Sequence, residues 1–91
     1  MIDFSHANSQ KDHRRQIEVG RDVAAQIAAG ERRISGVMIE SHLQPGRQDL
    51  LPGRTLKPGV SITDACLGWD DSAALLRLLA QAARQRRKTA P

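Results

Sequence analysis

Apolar residues recur at helical spacing in two long stretches of the chain and form two short runs elsewhere. In the first long stretch, residues 10–29, no proline interrupts the pattern and Gly30 stands at its end. This spacing predicts an amphipathic helix that begins after a cap at Ser9 and stops at a glycine in the left-handed conformation. Gly20 lies within the stretch and is expected to permit close packing. The apolar stripe consists of Ile17, Val23, Ala24 and Ile27.

The two short apolar runs predict strands over residues 1–5 and 34–40. The second run is rich in β-branched residues and shows no polar alternation, which is typical of a strand buried on both faces of a parallel sheet. Two parallel strands need a crossover of a dozen or more residues, and the helix at 10–29 provides one. The sequence therefore predicts a βαβ unit.

Residues 43–63 contain three Pro-Gly dipeptides, which favour turns because proline presets one dihedral angle and glycine accepts a positive φ. We expect an irregular loop or a small hairpin here, and loops of this length tend to be functional. A last helix is predicted over 71–87, with its cap at Asp70, Asp71 or Ser72. Its broad apolar face consists of Leu75, Leu76, Leu78, Leu79, Ala82 and Ala83.

The fold class predicted by this order is α/β, with residues 1–91 forming part of a larger structure. Two strands cannot cover the apolar faces of two amphipathic helices, and a two-stranded parallel sheet leaves both of its edges open. The chain is therefore interpreted as the last two βα units of a (β/α)8 barrel, the TIM barrel. In that setting Trp69 is expected to pack the last helix against the barrel.

The amino-acid composition argues against two classes of binding partner, nucleic acids and membranes. The net charge is +4, but the basic residues are dispersed, and the cluster at 84–88 suits the carbonyl end of a helix. With two aromatic residues in the chain, a stacking platform for nucleic acid is not expected. A single cysteine, no apolar run near 20 residues and a start unlike a signal peptide favour the cytoplasm and argue against a membrane.

Three potential metal ligands follow the predicted strands or precede the last helix. His6 comes just after the first strand, Glu40 ends the second, and Asp64 lies between the loop and the last helix. The carboxyl ends of parallel strands share one edge of a sheet, and an imidazole with two carboxylates suits Mn²⁺, Fe²⁺, Co²⁺ or Zn²⁺. By spacing alone, a loop histidine, a salt-bridged glutamate and a capping aspartate remain open alternatives. His42 and Cys66 are candidates for a supporting shell.

Three segments around these residues resemble motifs of a known enzyme family. They are Met1-Ile-Asp-Phe-Ser-His-Ala-Asn-Ser9, Gly36-Val-Met-Ile-Glu-Ser-His-Leu43 and Ser61-Ile-Thr-Asp-Ala-Cys-Leu-Gly-Trp69. In order and spacing they resemble the last motifs of the class I 3-deoxy-D-arabino-heptulosonate 7-phosphate (DAHP) synthases, the Phe-, Tyr- or Trp-regulated type. The resemblance covers nearly the whole chain and identifies it as a carboxy-terminal part of such an enzyme.

This resemblance implies a (β/α)8 barrel whose divalent metal is held by His6, Glu40, Asp64 and a cysteine from an earlier strand that is not in this chain. Cys66 would lie beside a ligand rather than act as one. The implied reaction joins phosphoenolpyruvate to erythrose 4-phosphate with water and opens aromatic amino acid biosynthesis through the shikimate pathway. Whole enzymes of this type are expected to be homo-oligomers.

Two expectations about the isolated chain follow. Because the earlier strands carry the phosphate-binding residues and one ligand, we expect negligible synthase activity and weak metal affinity from the chain alone. The alternative is a small non-catalytic module that docks on a partner protein through its apolar helix faces, without dependence on a metal.

Overall fold

A two-stranded parallel sheet lies at the centre of the fold in the computed structural model, which describes residues 1–89. Strand β1 (Ile2–Asp3) pairs with strand β2 (Val37–Met38), with Ile2 opposite Val37 and Asp3 opposite Met38. Both strands lie inside the runs predicted from the sequence and are shorter than them. Regular pairing is short because the chain turns into a helix soon after Asp3.

A short helix, α1 (His6–Ser9), precedes the long helix α2 (Arg15–Ala28). The sequence pattern predicted one helix over 10–29 with Ser9 as its cap, whereas Ser9 is the last residue of α1. Gln10 and Lys11 have φ values of 54° and 61°. Residues with left-handed backbone angles cannot continue a right-handed helix, so the chain breaks there and α2 begins four residues later.

The carboxyl end of α2 carries a Schellman motif around Gly30. Gly30 has a φ of 105°, and its N–H donates to the carbonyl oxygen of Ile27 at 3.0 Å, while the N–H of Glu31 donates to that of Gln26 at 3.0 Å. This pair of bonds satisfies two carbonyls that the helix leaves free. The prediction of a glycine stop at position 30 is confirmed.

Helix α3 (Trp69–Lys88) begins earlier than the predicted 71–87. Its N-cap residue is Gly68, so Asp70, Asp71 and Ser72 lie inside the helix and none of them caps it. In the first turn, the negative charges of Asp70 and Asp71 interact favourably with the positive end of the helix dipole. Near the other end, the Arg86 guanidinium donates to the carbonyl oxygens of Glu31 and Ile34 at 2.9 and 2.8 Å, which ties α3 to the turn between α2 and β2.

The core lies between α2, α3 and the sheet. Gly20 permits a close approach there, because a Cβ atom at this position would overlap Leu75 Cδ1 and lie 3.1 Å from Phe4 Cε2. The small residue on α2 therefore makes room for Leu75 of α3, which agrees with the expectation that Gly20 permits close packing. The buried hydrophobic cluster consists of Phe4, Val23, Ala24, Ile27, Ile34, Leu67, Leu75 and Ala82.

Residues 43–63 contain no helix or regular strand. Single bridges pair Gly46 with Cys66 and Arg47 with Ser61, so the segment folds back on itself as an irregular loop. Most of its side chains are exposed to solvent. No helix within residues 1–89 is long and apolar enough to cross a bilayer.

Candidate metal centre

His6, Glu40 and Asp64 converge at the carboxyl edge of the two strands. His6 Nε2 lies 3.6 Å from Glu40 Oε1 and 3.3 Å from Asp64 Oδ2, and one ligand atom from each residue lies within 4.8 Å of the other two. Their side chains remain partly exposed. The three residues that the sequence singled out as ligands therefore form one cluster.

The backbone explains why residues so far apart in sequence meet. Parallel pairing of β1 with β2 places His6 and Glu40 at the same edge. The segment before α3 then runs beside the end of β2, because Leu67 N–H donates to the Glu40 carbonyl at 3.0 Å and His42 N–H donates to the Leu67 carbonyl at 2.8 Å. This pairing brings Asp64 to the site.

His6 itself has a φ of 52°, which lies in the left-handed region that few non-glycine residues occupy. Such a conformation costs of order 1 kcal/mol and persists only where the surrounding structure holds it. Asn8 Nδ2 donates to the Asp3 carbonyl at 2.6 Å and Ser9 Oγ donates to the His6 carbonyl at 3.3 Å. Side chains of α1 thus hold the turn in which the imidazole faces the two carboxylates.

Asp3 was not a candidate from the sequence, yet it orients His6. Asp3 Oδ2 lies 2.9 Å from His6 Nδ1, and Asp3 Oδ1 accepts bonds from the Ser5 hydroxyl at 2.5 Å and the Ser5 N–H at 2.8 Å. A carboxylate on one ring nitrogen fixes the tautomer and leaves the other nitrogen free to bind. The only sequence signal was an aspartate three residues before a histidine, inside a predicted strand.

These contacts shift the protonation equilibria of the site. Hydrogen bonds from Ser5, and then from His6, lower the pKa of Asp3 to about 2. The hydrogen bond to Asp3, and after it the charge of Glu40, raise the pKa of His6 above its ordinary value of 6.5. The carboxylates of Glu40 and Asp64 therefore favour a positive charge at His6 Nε2, the atom that lies near both of them.

His42 and Cys66, the candidates for a supporting shell, have different positions. His42 Nδ1 accepts the N–H of Leu43 at 2.8 Å, and the residue lines a groove with Trp69 and Leu76. The buried Cys66 thiol lies 3.4 Å from the Asp64 carbonyl oxygen, and burial raises its pKa. Cys66 therefore stays protonated and contacts the backbone of Asp64, while neither residue belongs to the cluster of three.

The donor set fits a divalent transition metal. Two ligands on a tetrahedral ion with bonds of about 2.1 Å lie about 3.4 Å apart, and the separations from His6 Nε2 are 3.3 and 3.6 Å. One nitrogen and two carboxylate donors suit Mn²⁺, Fe²⁺, Co²⁺ or Zn²⁺.

Comparisons with known proteins point to one family. Phospho-2-dehydro-3-deoxyheptonate aldolase of Haemophilus influenzae is 56% identical over 88 residues, which cover 97% of this chain and 24% of that protein. The Phe-sensitive enzyme of Escherichia coli K12 is 59% identical over 87 residues, 96% of this chain and 25% of that protein. The structure of the Francisella tularensis enzyme superposes with a TM-score of 0.89 at 45% identity over 94% of this chain and 25% of that one.

The chain thus spans about a quarter of the length of the relatives it matches. The profile of the DAHP synthetase I family matches residues 1–77, which include all three members of the cluster. This match agrees with the resemblance carried by the three sequence motifs. The chain belongs to the DAHP synthetase I family.

Proposed function

We propose that this chain supplies three metal ligands, His6, Glu40 and Asp64, to a 3-deoxy-7-phosphoheptulonate synthase, and that it forms the last two βα units of the enzyme's (β/α)8 barrel. The observation that carries the proposal is the convergence of these side chains at one strand edge. Family membership supports it, because the same segments carry both the match and the cluster.

The surface of the chain supports a role inside a larger barrel. Its accessible area is 6383 Å², whereas a monomer of 10.0 kDa exposes about 5,200 Å². Its radius of gyration is 15.4 Å, against about 12 Å for a compact domain of 91 residues. Trp69 is 66% exposed and Leu76 is 58% exposed, and further barrel strands and helices would cover such residues.

In the proposed enzyme, the substrates are phosphoenolpyruvate and erythrose 4-phosphate, and the reaction adds water and releases inorganic phosphate. A divalent ion held by the cluster would polarise the aldehyde carbonyl. His6 would bind through Nε2, with Nδ1 held by Asp3, and Glu40 and Asp64 would supply anionic oxygens. The ion would be Mn²⁺, Fe²⁺, Co²⁺ or Zn²⁺, and whole enzymes of this type would form homo-oligomers in the cytoplasm.

The isolated chain is proposed to have negligible activity and weak metal affinity, because it supplies three ligands and no complete phosphate site. The test is to titrate the purified chain with Mn²⁺ and to assay it with both substrates, alone and mixed with the first three quarters of the Escherichia coli Phe-sensitive relative. We expect measurable Mn²⁺ binding, no turnover alone, and turnover in the mixture.

The matched controls are His6→Ala, which removes a ligand, and His13→Ala, which removes a histidine outside the cluster. His6→Ala should abolish both Mn²⁺ binding and turnover in the mixture, while His13→Ala should leave both unchanged. Substantial turnover by the chain alone would contradict its proposed dependence on the rest of the barrel. Equal Mn²⁺ binding by the two variants would contradict the metal site.

A further inference from the structure

Gln16, near the beginning of α2, is fully buried, and both the nitrogen and the oxygen of its side-chain amide form hydrogen bonds with the backbone of Glu40. Its exposed fraction is 0%. Gln16 Nε2 donates to the Glu40 carbonyl at 3.0 Å, and Gln16 Oε1 accepts the Glu40 N–H at 2.9 Å. A buried amide costs free energy unless it is hydrogen-bonded, and here the backbone of a proposed metal ligand satisfies it.

The amide of Gln16 continues the pairing of β2 beyond the end of β1. The bond from Phe4 N–H to the Met38 carbonyl, at 2.9 Å, joins the first strand segment to the second. Glu40 lies two residues further on, where the first segment has already turned into α1. A side-chain amide has the same donor and acceptor groups as a backbone peptide, so Gln16 takes the place of a neighbouring strand.

The two polar groups of the Glu40 backbone depend on Gln16 to different degrees. The Glu40 carbonyl also accepts the N–H of Leu67 at 3.0 Å, so it keeps one partner without Gln16. The Glu40 N–H bonds to Gln16 Oε1. Loss of that bond would leave a donor at the strand end unpaired and free the residue that carries the ligand side chain.

We infer that Gln16 is a positioning residue for the metal centre: its buried amide fixes the Glu40 backbone and thereby aims the Glu40 carboxylate at His6 and Asp64. The inference rests on the proposed function, because it concerns the same metal site. Groups that orient metal ligands typically change metal affinity by 10–100-fold when they are removed.

The experiment compares Gln16→Met, which keeps length and volume but loses both hydrogen bonds, with Val23→Ala, which opens the core of the same helix away from the site. Both variants of the full chain are titrated with Mn²⁺ by calorimetry and unfolded in urea. We expect Gln16→Met to weaken Mn²⁺ binding at least tenfold and Val23→Ala to change it less than twofold, although both lower stability. Gln16→Asn, which is one methylene too short, serves if Gln16→Met does not fold and should show the same loss.

A second measurement follows hydrogen exchange of the Glu40 amide, which should accelerate at least tenfold in Gln16→Met relative to core amides and keep its relative rate in Val23→Ala. Equal losses of Mn²⁺ affinity in the two variants, or unchanged Glu40 exchange in Gln16→Met, would overturn the positioning role of Gln16. Neither result would contradict the proposed metal site. Absence of Mn²⁺ binding by the wild-type chain would instead overturn the proposed function, and the inference with it.

Discussion

Helix α2 lies between His6 and Glu40 in the chain, and the segment 43–63 lies between Glu40 and Asp64. Different interactions hold these two connections in place. Helix α2 packs three buried apolar residues into the core. The segment is mostly exposed, and polar groups order it: Gln48 Nε2 donates to the carbonyls of Lys57 and Val60 at 2.8 and 3.0 Å, and Gln48 Oε1 accepts the Lys57 N–H at 2.9 Å. Apolar packing therefore holds α2 against the core, whereas side-chain hydrogen bonds hold the segment.

The largest effect is expected from Leu75→Ala in the packed part. Leu75 is 3% exposed and fills the space beside Gly20, so its truncation should lower the free energy of unfolding by about 3 kcal/mol. Urea denaturation measures the loss. The matched control is Leu50→Ala in the segment, where the side chain is 66% exposed and the change should stay within about 0.5 kcal/mol. Similar losses at the two positions would show that the segment contributes to the core.

How far the sequence anticipates this arrangement depends on the kind of interaction. Apolar spacing predicts the buried face of α2, and the shared edge of parallel strands brings His6 and Glu40 together. On α3, Leu75 and Ala82 of the predicted apolar face are buried, whereas Leu76 and Leu78 are exposed. Residues that act through hydrogen bonds to the backbone do not recur at a regular spacing in the sequence. Gln16 lies among polar residues at the beginning of a helix, and nothing in its spacing shows that its amide is buried against Glu40.

Backbone conformation is the second feature that side-chain patterns miss. Gln10 and Lys11 are ordinary helix formers, so the sequence predicts a continuous helix across them, but both adopt positive φ. The break holds α1 in the turn that presents His6. The arrival of Asp64 likewise depends on the pairing of Ser41 with Leu67, a contact across a long irregular loop that spacing alone does not predict.

The second-largest effect is expected from pH, which changes the protonation of His6 and with it both stability and Mn²⁺ affinity. The pKa of His6 is raised above 6.5, mainly by the hydrogen bond to Asp3. Without metal, protonated His6 stabilises the fold fully below about pH 6.5, and this contribution is lost as the pH rises through the raised pKa. Metal affinity should change in the opposite direction, because a proton and an ion compete for Nε2. Below the pKa of His6, Mn²⁺ affinity should fall about tenfold per pH unit.

Mn²⁺ titrations and urea denaturation between about pH 5.5 and about pH 8.5, from about one unit below to about two units above the ordinary pKa of histidine, measure the two trends. The control is His6→Ala, in which the stability trend should disappear. If affinity and stability rise and fall together with pH in the wild-type chain, His6 Nε2 is not the shared binding atom.

A much smaller effect on global stability than that of Leu75→Ala is expected from Gln48→Ala in the segment. Three hydrogen bonds between the Gln48 side chain and the backbone of Lys57 and Val60 close this part of the chain, yet Gln48 is not part of the apolar core. The free energy of unfolding should fall by less than about 1 kcal/mol, while the Lys57 amide should lose its protection from hydrogen exchange. Exchange measured residue by residue separates the local effect from the global one.

Gln44→Ala is the matched control, because the Gln44 side chain makes no hydrogen bond within residues 1–89 and its backbone N–H bonds to Gly59. It should leave Lys57 exchange unchanged. Exchange in the core of α2 should stay constant in both variants, since the segment and the core are held by different contacts. If Gln48→Ala instead accelerates exchange in α2 as much as at Lys57, the two regions unfold as one unit and the contrast between them fails.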